Sequence, residues 1–130
     1  MTEEDRKLLL KDLSARLLYG IICDDGYGNV LELNGIDKPN TATFKCFDKT
    51  FWTTDLDKCK PYLFPLSSMT KEQEKEFNQL LELELKAISD EIDYPQITAF
   101  EIDFYNKHHF DWRGLISIGL ALDATDKNIY

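Results

Sequence analysis

The segment His108-His109-Phe110-Asp111-Trp112-Arg113-Gly114-Leu115-Ile116 gathers both histidines of the chain beside a carboxylate, an indole and a guanidinium. Imidazole and carboxylate ligands suit zinc or iron, so a metal site would draw on His108, His109 and Asp111, with Asp103 or Glu101 as further oxygen donors. The spacing argues against one. Consecutive helical residues point about 100° apart, and neither HxxxH nor HExxH occurs. No metal and no cofactor is expected; an imidazole packed beside an aromatic ring and hydrogen-bonded through its N–H is the favoured reading. Asp111, Trp112 and Arg113 admit two roles. They suit a recognition surface, because Trp and Arg are enriched at interface hot spots. The internal alternative buries Trp112, pairs Arg113 with an acidic residue such as Asp111 or with helix-end carbonyls, and is preferred because small domains recruit large aromatics to the core.

Other catalytic patterns are weaker still. General acid–base chemistry needs a base with placed partners, and abundant carboxylates do not supply that placement. There is no nucleophile-elbow serine and no phosphate loop followed by Lys, and Gly26-Tyr27-Gly28 lacks the following helix of a dinucleotide site. The three cysteines, Cys23, Cys46 and Cys59, form no CxxC pair and have no histidine at zinc-finger distance. Buried, reduced thiols are expected. Lys58 and Lys60 flank Cys59 and would lower its thiol pKa, the one hint of a reactive thiolate. No catalytic residue is assigned.

A chain of 130 residues with 43% hydrophobic residues fits one domain, 1–130, able to build its own core. Its start, Met1-Thr2-Glu3-Glu4-Asp5, is acidic where an export signal is basic, and no apolar run approaches the roughly 20 residues of a membrane span. A soluble cytoplasmic protein, off the membrane, is expected. The net charge of −9 divides unevenly: 11 acidic and 9 basic residues in 1–65, against 13 and 6 in 66–130. Such a field disfavours nucleic acid, whose binding needs clustered Lys and Arg, and would steer a basic protein toward the second half.

The elements that must position these residues follow from the pattern. Thr2-Glu3-Glu4-Asp5 reads as a capping box, and Leu9, Leu10, Leu13 and Leu17 recur at helical spacing, predicting a helix over 3–18 stopped by Gly20. Ile21-Ile22-Cys23 and Asn29 to Leu33 flank an Asp-Gly turn and predict a hairpin. A turn over Asn34 to Asn40 leads to a third strand, Thr41 to Phe47, with Phe51 to Thr54 extending the sheet. Pro61-Tyr62-Leu63-Phe64-Pro65-Leu66 reads as an irregular, core-pinned segment because of its two prolines. Thr70-Lys71-Glu72-Gln73 opens a second helix whose stripe Phe77, Leu80, Leu81, Leu85 and Ile88 reads as core. An acidic connector over Ser89 to Gln96 precedes a third helix over 99–109, with Thr98 as its cap. A helical turn near Leu115 and a short strand at Leu120-Ala121-Leu122 complete the chain.

Leu13-Ser14-Ala15-Arg16-Leu17-Leu18-Tyr19-Gly20, Tyr62-Leu63-Phe64-Pro65-Leu66-Ser67-Ser68-Met69-Thr70, and the His108 to Ile116 segment followed by Gly119-Leu120-Ala121-Leu122 stand in this order. Together they resemble the signature of a family of small uncharacterised proteins from gut bacteria and their phages or integrated mobile elements. The blocks span most of the chain. The resemblance implies no activity, cofactor or catalytic residue. It marks Arg16, Tyr19, His108, His109, Asp111, Trp112 and Arg113 as signature positions and candidates for binding. Leu18 departs from the pattern, standing where relatives often have Pro. Association with phages implies an accessory protein that modulates a host protein, with the acidic half as a ligand mimic.

The expected fold is α+β, with an N-terminal helix, a three- to four-stranded antiparallel meander and two C-terminal helices packed on one sheet face. The expected function is a non-enzymatic interaction or regulatory role on a host protein, a basic one by charge. The alternative is a small hydrolase or metal-dependent enzyme built on His108, His109 and Asp111. A third reading is a nucleic-acid modulator acting through a local basic patch.

Overall fold

The computed structural model describes residues 1–37, 40–46, 48–87 and 94–130, with side chains described outside 84–87 and 94–98. Thr2 caps the first helix: its Oγ1 accepts the Asp5 N–H at 3.1 Å while Asp5 Oδ2 accepts the Thr2 N–H at 3.3 Å. Two amides that lack partners inside a helix are thereby satisfied. Helix α1, Glu3–Arg16, continues as a 3₁₀ turn, Leu17–Tyr19, and stops at Gly20 with φ of 72°. Leu9 and Leu13 bury one stripe of α1, and Asp12 and Arg16 are buried beside it.

Strands β1 (Ile22–Asp24), β2 (Val30–Asp37), β3 (Thr41–Lys45), β4 (Phe51–Asp55) and β5 (Lys60–Pro65) pair antiparallel in the order β4-β3-β2-β1-β5. A flat sheet would set β4 and β5 four spacings, or about 19 Å, apart. Only Leu56 to Cys59 joins them, with Leu56–Lys58 in a 3₁₀ turn that rises about 2 Å per residue. The sheet therefore curls. A register shift between Leu33 and Gly35 bends β2 and supplies part of the curl. The concave side holds Cys23, Leu33, Ala42, Phe44 and Cys59, closed by Leu9 and Leu13 of α1 in the same apolar cluster.

After β5 come a 3₁₀ turn (Leu66–Ser68), helix α2 (Lys71–Ala87) and helix α3 (Tyr94–Lys107). Two short strands follow, β6 (Phe110–Asp111) and β7 (Leu122–Asp123), both pairing parallel to β5. The expected meander of three to four antiparallel strands with two helices on one face is thus corrected. The sheet has seven strands and is mixed. Helix α3 lies against α1 and β6, whereas α2 rests on α3, where Phe77 meets Phe100, Phe104 and Tyr105 at ring separations of 5.7, 5.0 and 6.1 Å. No described side chain of α2 is buried; Phe77, Leu80 and Leu81 of the stripe read as core are half-buried, Phe77 against α3, and the side chain of Leu85 lies outside those described.

Two further expectations change. The Pro61–Leu66 segment is a strand for all but its last residue, and Thr98 lies within α3 and so cannot cap it. Ile88 of the predicted stripe, Phe47, Lys38 and Pro39 of the turn, and the connector as far as Asp93 lie outside the described residues. Among the described residues no helix is long and apolar enough to cross a membrane.

Candidate functional site

The turn that ends α3 and the strand after it bring the His108–Ile116 segment against α1. Asp12 and Arg16, one helical turn apart, point into the interior. Arg16 Nε donates to Asp12 Oδ2 at 2.8 Å and Nη2 donates to the Phe110 carbonyl at 2.7 Å. Arg113 Nε donates to Asp12 Oδ1 at 3.1 Å, so one buried carboxylate receives two guanidinium groups. Arg113 also lies over the face of Trp112, its Cζ 4.0 Å from the ring centre. The acidic partner expected for Arg113 is Asp12 and not Asp111. Trp112 is half-buried and donates through Nε1 to Asn106 Oδ1 at 2.9 Å.

Asp111 has another task. Its Oδ1 accepts the Leu115 N–H at 2.8 Å and its Oδ2 the Ile116 N–H at 2.9 Å, fixing the turn that carries buried Leu115 and Leu120 into the core. Both oxygens are spent on backbone amides, a structural use of the carboxylate.

The two histidines diverge. His109 adopts φ of 62°, left-handed for a non-glycine residue, and reverses the chain at the end of α3. Its carbonyl accepts the Phe64 N–H at 2.8 Å, and its ring stacks on Tyr130 at 3.7 Å with an interplanar angle of 11°. Burial first, then the positive Arg16 and neighbouring His108, hold its pKa down at about 4, so the imidazole is neutral. Tyr130 in turn bridges two strands: its Oη accepts the Ile22 N–H at 3.0 Å and donates to the Tyr62 carbonyl at 2.8 Å. His108 packs on Phe104 at 4.5 Å and faces Glu76 of α2 across 3.7 Å.

Arg16 and Arg113 are therefore brought together on Asp12, Asp111 serves the turn that follows it, His109 stacks on Tyr130, His108 is turned toward α2, and Tyr19 stays in the 3₁₀ turn at 37% exposure. Among the described residues no group of three or more His, Cys, Asp and Glu is placed to hold a metal ion. The thiolate hint at Cys59 is overturned. Burial, followed by Asp25, Asp24 and Asp55, pushes its pKa up to about 12, because the lysine charges stand in solvent while the sulfur points inward. Compared with family models, curated proteins and solved structures, the chain matches none.

Sequence reasoning missed three members of this cluster: Asp12, Asn106 and Tyr130. For Asp12 a signal existed, since Asp and Arg four residues apart on a helix are placed to pair. Nothing local marks Asn106 or Tyr130, whose partners come from the turn after α3 and from β1 and β5 respectively.

Proposed function

We propose that this chain is a non-enzymatic interaction or regulatory accessory protein of phage or mobile-element origin, acting in the cytoplasm on a basic host protein. The observation that carries the reading is the internal use of the reactive residues. Asp12, Arg16, Asp111 and Arg113 bind one another or backbone amides, and His109 is stacked and neutral. The hydrolase or metal-enzyme alternative needs His108, His109 and Asp111 to converge, and their contacts lead apart. The free thiols of Cys23, Cys46 and Cys59 suit a reducing compartment.

Helix α2 supports the choice of partner. It stands on α3 with Glu72, Glu74 and Glu82 exposed, within the half of the chain that carries most of the −9 charge. Such a field accelerates encounter with a basic surface and fixes orientation more than it adds affinity. The test is capture of the tagged protein by crosslinking in its native host, beside the variant Glu72→Lys/Glu74→Lys/Glu82→Lys, with circular dichroism to verify folding. A basic partner is expected in stoichiometric yield, reduced at least tenfold by the charge reversals. Recovery of no stoichiometric partner would sink the interaction reading, and a partner indifferent to the reversals would sink the role of α2.

A further inference from the structure

We infer that the open edge of β4 is a dimer interface whose occupant is β4 of a second copy, running antiparallel about a twofold axis at Thr53. This does not rest on the host-partner reading. Among the described residues β4 pairs with β3 alone and ends the sheet. The Cys46 N–H donates to the Thr50 carbonyl at 2.9 Å and the Leu56 N–H to the Asn40 carbonyl at 2.6 Å, bracketing the β3–β4 ladder. Alternate residues of an antiparallel ladder turn their amides to the partner strand. Trp52 and Thr54, opposite Phe44 and Ala42, are therefore the residues bonded to β3. Phe51, Thr53 and Asp55 direct their N–H and C=O groups to the open side.

Natural sheet edges are usually blunted by proline, lysine or a bulge. The strand Phe51-Trp52-Thr53-Thr54-Asp55 has none of these, and its register with β3 is regular throughout. It also exposes two aromatics, Phe51 at 60% and Trp52 at 42%.

The choice of a second copy follows from polarity. Lys45 lies beside Phe51 at one end of the edge, and Asp55 closes the other; both are exposed. Antiparallel self-pairing about Thr53 sets Phe51 against Asp55 of the second copy, bringing each basic end to an acidic end. It also lets Phe51, Thr53 and Asp55 exchange all their outward amides and carbonyls at once. A one-residue slip would turn those groups away from each other, and a parallel arrangement would place like charges together.

The test is sedimentation equilibrium of the intact chain over a concentration series, with two variants. Thr53→Pro removes only an outward N–H and proline is tolerated on sheet edges, so the fold is kept, as circular dichroism would verify, while dimer affinity drops at least tenfold. Thr53→Cys in a Cys46→Ser background places two thiols on residues with Cα atoms about 5.5 Å apart, within disulfide reach, and oxidation is expected to yield a covalent dimer. A chain that stays monomeric at all concentrations overturns the proposal and leaves the edge to a strand from another protein. A dimer that ignores Thr53→Pro and fails to crosslink through Thr53→Cys overturns it in favour of another surface.

Discussion

Asp12 has no exposure to solvent, and a carboxylate so placed persists only if its charge is met. Arg16 and Arg113 meet it from the same helix and from a turn 101 residues away. Removing one partner is costly because it strands the other charge. Arg16→Leu is therefore expected to destabilise the protein by about 3 kcal/mol, the low end for a broken buried pair because Arg113 still attends Asp12. Adding Asp12→Leu removes the stranded carboxylate, and the double variant should be more stable than additivity requires by at least about 1 kcal/mol. Urea unfolding of the four proteins measures this coupling; strict additivity would show that the two side chains do not act as a pair. The sequence exposed half of this cluster. The density of His, Asp, Trp and Arg in 108–113 was visible. The spacing of Asp12 and Arg16 marked a possible pair but not its burial, because a charged residue on a helix is normally solvated and the second partner, Arg113, comes from a distant turn.

At the level of elements, the β1–β2 hairpin shows how a local turn becomes a tertiary joint. Asp25 holds the turn, accepting the Tyr27 N–H at 2.8 Å, the Asn29 N–H at 3.1 Å and Asn29 Nδ2 at 2.8 Å. Gly26 and Gly28 both adopt left-handed backbone, φ 85° and 88°, but a Cβ at Gly26 would lie 2.7 Å from the Lys58 carbonyl while one at Gly28 meets nothing within 4 Å. The turn is docked on the 3₁₀ segment that joins β4 to β5, where Lys58 Nζ also donates to Tyr27 Oη at 2.6 Å. Gly28→Ala should cost about 1 kcal/mol from backbone strain alone. Gly26→Ala should cost about 3 kcal/mol or more, because backbone must move as well. Equal costs in chemical denaturation would mean the docking contributes nothing. The Asp-Gly signal made this hairpin legible, and the capping box did the same for α1. Strand β5 was illegible for a physical reason: Pro61 and Pro65 remove two ladder donors and argue against a central strand. Both sit near the strand ends, however, and the apolar residues between them pair with β7 and β6. Those last two strands are only two residues each, too short for any periodicity to announce.

Across the whole molecule, acidification has two effects of opposite sign. Protonating carboxylates brings the net charge of −9 toward zero near the pI of about 4.6, relieving self-repulsion and favouring the compact state. His109 works the other way. Its ordinary pKa is 6.5, but in the folded protein burial and Arg16 hold it at about 4. Between those values the unfolded chain binds the extra proton, so stability is lost progressively as pH falls from about 6.5 to about 4. Asp25 acts lower still. Burial opposes its charge, but the Asn29 side chain and the Tyr27 and Asn29 amides outweigh it and depress the pKa, so its contribution is lost only below the ordinary value of 3.8. Because many carboxylates titrate together, the histidine is isolated by difference. His109→Asn removes the titration while Asn, unlike most residues, tolerates the left-handed φ of 62°. The stability of the wild-type protein relative to this variant should be constant above pH 7, decline between about pH 6.5 and 4, and level off below. Denaturation curves at intervals of half a pH unit measure that difference, in which Asp25 and the carboxylates remote from His109 cancel. Parallel curves would mean that His109 is protonated as readily in the folded protein as in the unfolded chain. In that case the stack of His109 on Tyr130, which draws α3, β1 and β5 together at the C-terminal residue, would have to accommodate a cation beside Arg16.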